Sequence, residues 1–272
     1  MVRGNIAVCL SCLILLVGLF VGCRSSGVVP SLSAEELFNR GKAKFENEDF
    51  LEAIDDFTAV TLQYPGSSLA DDAQYYLGEC RFHRSEFLLG AYEYQTLRRN
   101  MPSSPLVSEA QYKTGLCYYM LAPRSSLDQD YSRKAVDEFQ NFLEYFPTHE
   151  LAQDAERKIV ELNNRLAKKD YDTAVLYMKL EYYKAATMYF DNVLEQYHDT
   201  EYAEPSYVGK VEALMARRKY NEAKVEIEKF LNKYPESHYR PRIQSFEREV
   251  DSHLRSGSTV RETPNLGLAG NR

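Results

Sequence analysis

From Ser33 to about Leu254 the apolar residues recur at three- and four-residue steps, the period of amphipathic helices, and no segment alternates with the period of a strand. Short punctuating segments cut this pattern into pieces: Tyr64-Pro65-Gly66-Ser67, Met101-Pro102-Ser103-Ser104, Phe146-Pro147-Thr148 and Tyr234-Pro235-Glu236-Ser237. Tyr197-His198-Asp199-Thr200 has the same shape without the proline. A large apolar residue, a proline and then a hydroxyl residue predict the end of one helix and the capping of the next. Between these marks each piece holds two helical runs separated by a short polar break such as Asn47-Glu48-Asp49. The first run begins at Ser33, with Glu36 three places on, a predicted capping box.

The pieces align. Small residues Gly41, Gly78, Gly115 and Ala174 stand on the first helix of successive pairs. Ala53 with Phe57, Gly90 with Tyr94, Ala135 with Phe139 and Ala186 with Phe190 stand on the second. Small residues facing each other allow two antiparallel helices to touch, and the aromatic fills the gap to the next pair. A fifth, degenerate pair carries Ala223, Ile227, Phe230 and Pro235. Marks fall 37, 45, 51 and 37 residues apart. An eight-residue insertion at Ala122–Gln129 accounts for the 45. The 51 contains no Pro or Gly between Thr148 and Leu180 and predicts one helix of about 32 residues, roughly 48 Å long, joining the third pair to the fourth. The expected architecture is all-α, a solenoid of about five helix pairs over 32–255, divided into 32–147 and 148–255, with a disordered tail at 256–272.

Ahead of the solenoid, Arg3 and the apolar run Ile6–Val21 form a targeting segment, 1–22. Leu19-Phe20-Val21-Gly22-Cys23 resembles a bacterial lipoprotein signal, in which the Cys thiol is acylated, and Cys23 is then the lipid anchor with 23–31 as a tether. An uncleaved anchor and a plain signal peptide remain alternatives, although sixteen apolar residues are short for a span.

The net charge is −7, near −8 once 1–22 and its single Arg are removed, which disfavours a DNA- or RNA-binding role, since phosphate neutralisation wants a basic face. Five scattered His form no i,i+4 metal pair, and neither a phosphate-cradling glycine loop nor a nucleophile elbow is present, so no catalytic residue, metal site or cofactor is expected. His149 reads as a helix-start contact. Cys80 and Cys117 occupy equivalent places on neighbouring helices, too far apart for a disulfide, and read as small buried hydrophobes.

The helix pairs, with Gly41, Ala53, Phe57 and Pro65 at the right spacing, resemble the tetratricopeptide repeat. Added to them are the lipoprotein-like signal, the insertion before Asp128-Gln129-Asp130 and the connector through Leu166-Ala167-Lys168-Lys169-Asp170-Tyr171. Together they resemble the BamD family, the tetratricopeptide lipoproteins of the outer-membrane β-barrel assembly machinery. The resemblance implies a non-catalytic scaffold on the periplasmic face of the outer membrane. Its C-terminal repeats would dock on a BamA-like barrel protein. Its N-terminal repeats would meet unfolded outer-membrane proteins and other Bam lipoproteins. A pilotin-like lipoprotein for a secretin and an adaptor for cell-wall enzymes are the competing readings. In such repeats the places three before and four after the small residue face the concave groove. Here these are Phe38, Phe45, Tyr75, Phe82, Tyr112 and Tyr119, continued by Tyr171 and Met178. This ladder is either an aromatic-lined trough for an extended peptide or part of the core.

Overall fold

The computed structural model describes residues 32–259, with side chains to Ser256. The targeting segment, Cys23 and the tether lie outside the described residues, as does the tail from residue 260. Among the described residues eleven helices form five pairs and a terminal helix: α1 (Ala34–Glu46) with α2 (Phe50–Gln63), α3 (Ala70–His83) with α4 (Phe87–Asn100), and α5 (Val107–Leu121) with α6 (Asp130–Tyr145). Then come α7 (Ala152–Lys179) with α8 (Tyr183–Gln196), α9 (Ala203–Ala216) with α10 (Tyr220–Lys233), and α11 (Arg240–Thr259). Each helix packs on the next in sequence, and α9 also touches α7 and α11. No helix among the described residues is long and apolar enough to cross a membrane.

The close approach expected within pairs is present. A methyl group added at Gly41 would stand 2.9 Å from the Phe57 ring, one at Gly78 2.4 Å from Tyr94, and one at Gly115 2.9 Å from Phe139. Phe57, Tyr94, Phe139 and Phe190 are essentially inaccessible, and burying such a ring stabilises by about 1.5–3 kcal/mol. The capping box also forms: the Glu36 amide donates to Ser33 Oγ at 3.2 Å, and the Ser33 amide to Glu36 Oε2 at 2.8 Å.

Inside four of the pairs the turn is the same. Glu48, Ser85, Glu181 and Arg218 adopt φ near +60°. The residue after each donates its amide five residues back, as Asp49 does to the Lys44 carbonyl at 2.9 Å. This is a Schellman ending built on non-glycine residues, at a backbone cost of about 1–2 kcal/mol each. In the third pair the insertion replaces it. Gln129, fully buried, donates to the Arg124 and Leu127 carbonyls at 2.9 and 3.0 Å. Arg165 and Lys169 of α7 then hold the loop through the carbonyls of Ala122, Pro123 and Leu127.

Three expectations need correcting. The hydroxyl residues after the prolines do not cap the next helix, because Leu69 and Leu106 occupy the N-cap places without a side-chain bond. Ser67, Ser104 and Ser237 instead accept from the amide two residues on, inside the turn, and His149 Nδ1 does the same for Leu151. The long helix is 28 residues, about 42 Å, because Thr148–Leu151 are used by the preceding turn. The terminal helix runs to Thr259 rather than Leu254, four residues into the segment expected to be disordered.

Candidate functional site

The ladder is neither wholly groove nor wholly core. Phe38 and Tyr112 are buried, at 8% and 6% exposure. Phe45, Tyr75, Phe82 and Tyr119 are half-buried. Each pair of rungs is tied down twice. Its own second helix supplies one ring: Phe57 lies 5.7 Å from Phe38, Tyr94 5.6 Å from Tyr75, and Phe139 5.6 Å from Tyr112.

The next helix supplies a lid. Tyr76 stacks on Phe57 at 5.2 Å and meets Phe45 edge-on at 5.2 Å. Lys113 Nζ stands 5.4 Å over the Phe82 ring, and Lys158 Nζ 4.5 Å over Tyr119. In the third repeat the rungs are also hydrogen-bonded to α7, Tyr112 donating to Asp154 Oδ2 and Tyr119 to Glu161 Oε2 at 2.6 Å.

Electrostatics reinforce the closure. Glu79 lies in the crevice between repeats two and three, accepting from the Tyr94 hydroxyl at 2.5 Å and paired with Lys113 at 2.7 Å. Burial pushes the phenols of Tyr75 and Tyr94 well above their usual range, and the Glu79 carboxylate pushes them further. Burial likewise raises the thiols of Cys80 and Cys117 to about 12. Both are free and buried, as small hydrophobes rather than nucleophiles.

Two features went unread in the sequence. The first is a register of acids on the second helices, three places after the small residue. Asp56 pairs with Arg40 and Lys44 at 2.5 and 2.7 Å, Glu93 accepts from Gln74 at 2.7 Å, Glu138 from Gln111 at 2.6 Å, and Glu226 pairs with Lys210 at 3.1 Å. The fourth repeat has Tyr189 there, stacked on Tyr177 at 5.5 Å. In the same pair Leu176, Leu180, Tyr182 and Met188 are more than half exposed, and Tyr182 and Met188 line an open cavity of about 500 Å³ bordered by Arg217. The second is Gly209 of α9, which faces the Phe190 ring. No group of His, Cys, Asp and Glu among the described residues could hold a metal ion.

Comparison with known proteins agrees with this architecture. Residues 30–218 match the family YfiO, described as outer membrane lipoprotein. The outer membrane protein assembly factor BamD of Vibrio cholerae is 26% identical over 211 residues, 74% of this chain and 88% of that protein. BamD of Rickettsia prowazekii is 26% identical over 229 residues, 82% of this chain and 90% of that protein. A tetratricopeptide repeat protein from Parabacteroides merdae aligns at 15% identity over 84% of this chain and 75% of that one, with a TM-score of 0.36, too loose to add to the geometry above. With more than half of its length matched, continuously from residue 30 into the fifth helix pair, the chain belongs to the YfiO family of outer membrane lipoproteins.

Proposed function

We propose that this chain is an outer-membrane protein assembly factor, a non-catalytic scaffold that holds other proteins together and does no chemistry of its own. The observation carrying this reading is the alignment with two BamD proteins over about nine-tenths of their lengths. The fold is consistent with it. Stacked helix pairs present extended surfaces to other proteins, and the most strongly shifted groups, Tyr75, Tyr94, Tyr112, Cys80 and Cys117, are packed inside the helix pairs rather than gathered as an accessible acid–base pair.

In detail, acylated Cys23 holds the protein to the periplasmic face of the outer membrane, with several acyl chains for durable anchoring. The C-terminal repeats dock on a BamA-like barrel protein. Supporting this is the exposed apolar surface of Leu176, Leu180, Tyr182 and Met188, where aromatic and large apolar residues carry the energy of an interface. The N-terminal repeats meet unfolded outer-membrane proteins or companion Bam lipoproteins through the half-exposed rungs Phe45, Tyr75, Phe82 and Tyr119.

The test is co-purification of the full-length protein from mildly solubilised envelopes, with mass spectrometry of what comes with it. A large barrel protein with tandem periplasmic domains, in near-stoichiometric amount, is the expected result. A secretin or a wall hydrolase in its place overturns the reading.

A further inference from the structure

Because the helices of each pair run antiparallel, every first helix begins and every second helix ends at the edge of the solenoid that carries the proline turns. At the first two of these turns the edge is uncharged. Residues 61–70 and 101–108 contain no acidic or basic side chain, in a chain that is 27% charged. The opposite edge carries Glu46, Glu48 and Asp49, then Arg84 and Glu86, and the later turns carry Asp199 and Glu201, then Glu236. The two neutral turns adjoin, with Pro65 and Ser68 of the first and Pro102 and Pro105 of the second lining one cavity of about 370 Å³. Beside the first turn Leu62 is 75% exposed, and Tyr145 ends α6 on the same edge at 70%. Arg99 has on α4 the place that Leu62 has on α2, 37 residues earlier. Its guanidinium meets Thr96 and Asn100 and no carboxylate among the described residues.

Two further observations say what this edge faces. The chain enters the fold there: the Tyr64 hydroxyl donates to the Leu32 carbonyl at 2.7 Å, tying the entering backbone to the first turn. Cys23 stands nine residues before Leu32, a reach of about 30 Å at full extension. The second observation is a step made by α7. The Glu201 amide donates to Asn164 Oδ1 at 3.4 Å, so the fourth repeat's turn lies twelve residues along α7, about 18 Å back from the third repeat's edge.

We infer that the uncharged edge of the first two repeats rests on the phospholipid surface, with Leu62 entering the acyl boundary and Arg99 and Tyr145 at headgroup level. The inference depends on the Cys23 anchor of the reading above and adds an orientation to it. Uncharged turns can approach the headgroups without desolvating an ion. One leucine is too little to hold a protein on a membrane alone, but a tether of about 30 Å keeps it at high local concentration there. The net charge of −7 opposes attraction to anionic lipid, so the contact is apolar and insensitive to salt. The step in α7 keeps the fourth repeat's charged turn clear of the lipid.

The chain contains no Trp, so a single introduced one reports without background. Leu62→Trp and Leu51→Trp lie on one side of α2, eleven residues and about 16 Å apart. Both leucines are more than half exposed, so neither change disturbs packing. Each full-length acylated variant is reconstituted with vesicles of phosphatidylethanolamine and a minority of phosphatidylglycerol, with plain or brominated acyl chains. The Leu62→Trp emission should shift to the blue and be quenched about twofold by the brominated chains, at low and high salt alike. Leu51→Trp should respond to neither. Equal quenching at the two places overturns the inference, as does quenching that salt abolishes. If the protein floats with the vesicles and Leu62→Trp is not quenched, the orientation falls and the anchor stands. A protein that does not float removes both.

Discussion

The first and fourth repeats carry the same ladder on their first helices, yet one is covered by a ring of the next helix and the other borders a cavity. Phe38 and Phe45 lie beneath Tyr76, whereas Tyr171 and Met178 border a cavity. The second helices differ in parallel. The first repeat locks its helices with Asp56 between Arg40 and Lys44, and the fourth substitutes a Tyr177–Tyr189 stack and exposes apolar surface outside it. Surface character in this solenoid is therefore a property of a helix together with its successor, and a motif found on one helix does not by itself declare a binding face.

The comparison can be broken most directly by truncating matched rungs. Tyr112→Ala removes a buried ring that also bonds Asp154, and should cost about 3–5 kcal/mol. Tyr171→Ala should cost less, about 2 kcal/mol, because its ring is only partly buried, against Phe190 and Tyr202. Chemical denaturation measures both, and equal losses would mean the fourth repeat is as closed as the third. Next in size, Gly209→Ala should destabilise by about 1–3 kcal/mol through overpacking against Phe190, with the thermal midpoint falling accordingly.

A smaller effect sharpens the electrostatic side. Burial, then the bond to Asp154, raises the Tyr112 phenol above its unfolded value of about 10. A raised folded-state value contributes stability that is complete below pH 10 and is lost as the pH climbs through the folded value. Tyr112→Phe should thus flatten the decline in stability above pH 10 while costing about 1 kcal/mol at neutral pH. An unchanged alkaline slope would show the phenol to be solvated. Smallest is Glu181→Gly, which relieves a positive φ in the fourth repeat's turn and should stabilise by about 0.5–1 kcal/mol. A loss of stability would mean that Glu181 makes contacts outweighing its strain.

The pattern of small and aromatic places read along the chain was enough to locate the helix pairs. Gly41 with Phe57 and Gly115 with Phe139 are neighbours because only a hydrogen at the glycine admits the ring. The capping box was equally legible, since Ser33 and Glu36 act across three residues. Whether a rung is open was not. That depends on Tyr76, Lys113, Lys158 or Gly209, each on the following helix, and a ladder aligned on one helix omits what the next one brings. The hydroxyl residues misled for a local reason. A serine after a proline has two backbone amides within reach, and in Ser67 and Ser104 the turn wins over the helix.

The length of α7 has a consequence for how such a chain can vary over evolutionary time. Successive small residues are 37 apart in the other repeats, but 59 separate Gly115 from Ala174. Eight of the surplus lie in the insertion, and the remaining fourteen extend α7 by about four whole turns. Near-integral turns bring Tyr171 and Met178 back to within about 40° of the face already used by Arg157 and Asn164. A single residue gained or lost inside α7 would swing everything downstream by about 100° and turn the fourth and fifth repeats away from the line of the first three. Indels in this helix should therefore survive only in steps close to whole turns, three or four residues at a time. The reading frame of the solenoid is kept by a helical phase, and related chains of different length should display it as quantised gaps between Leu151 and Leu180.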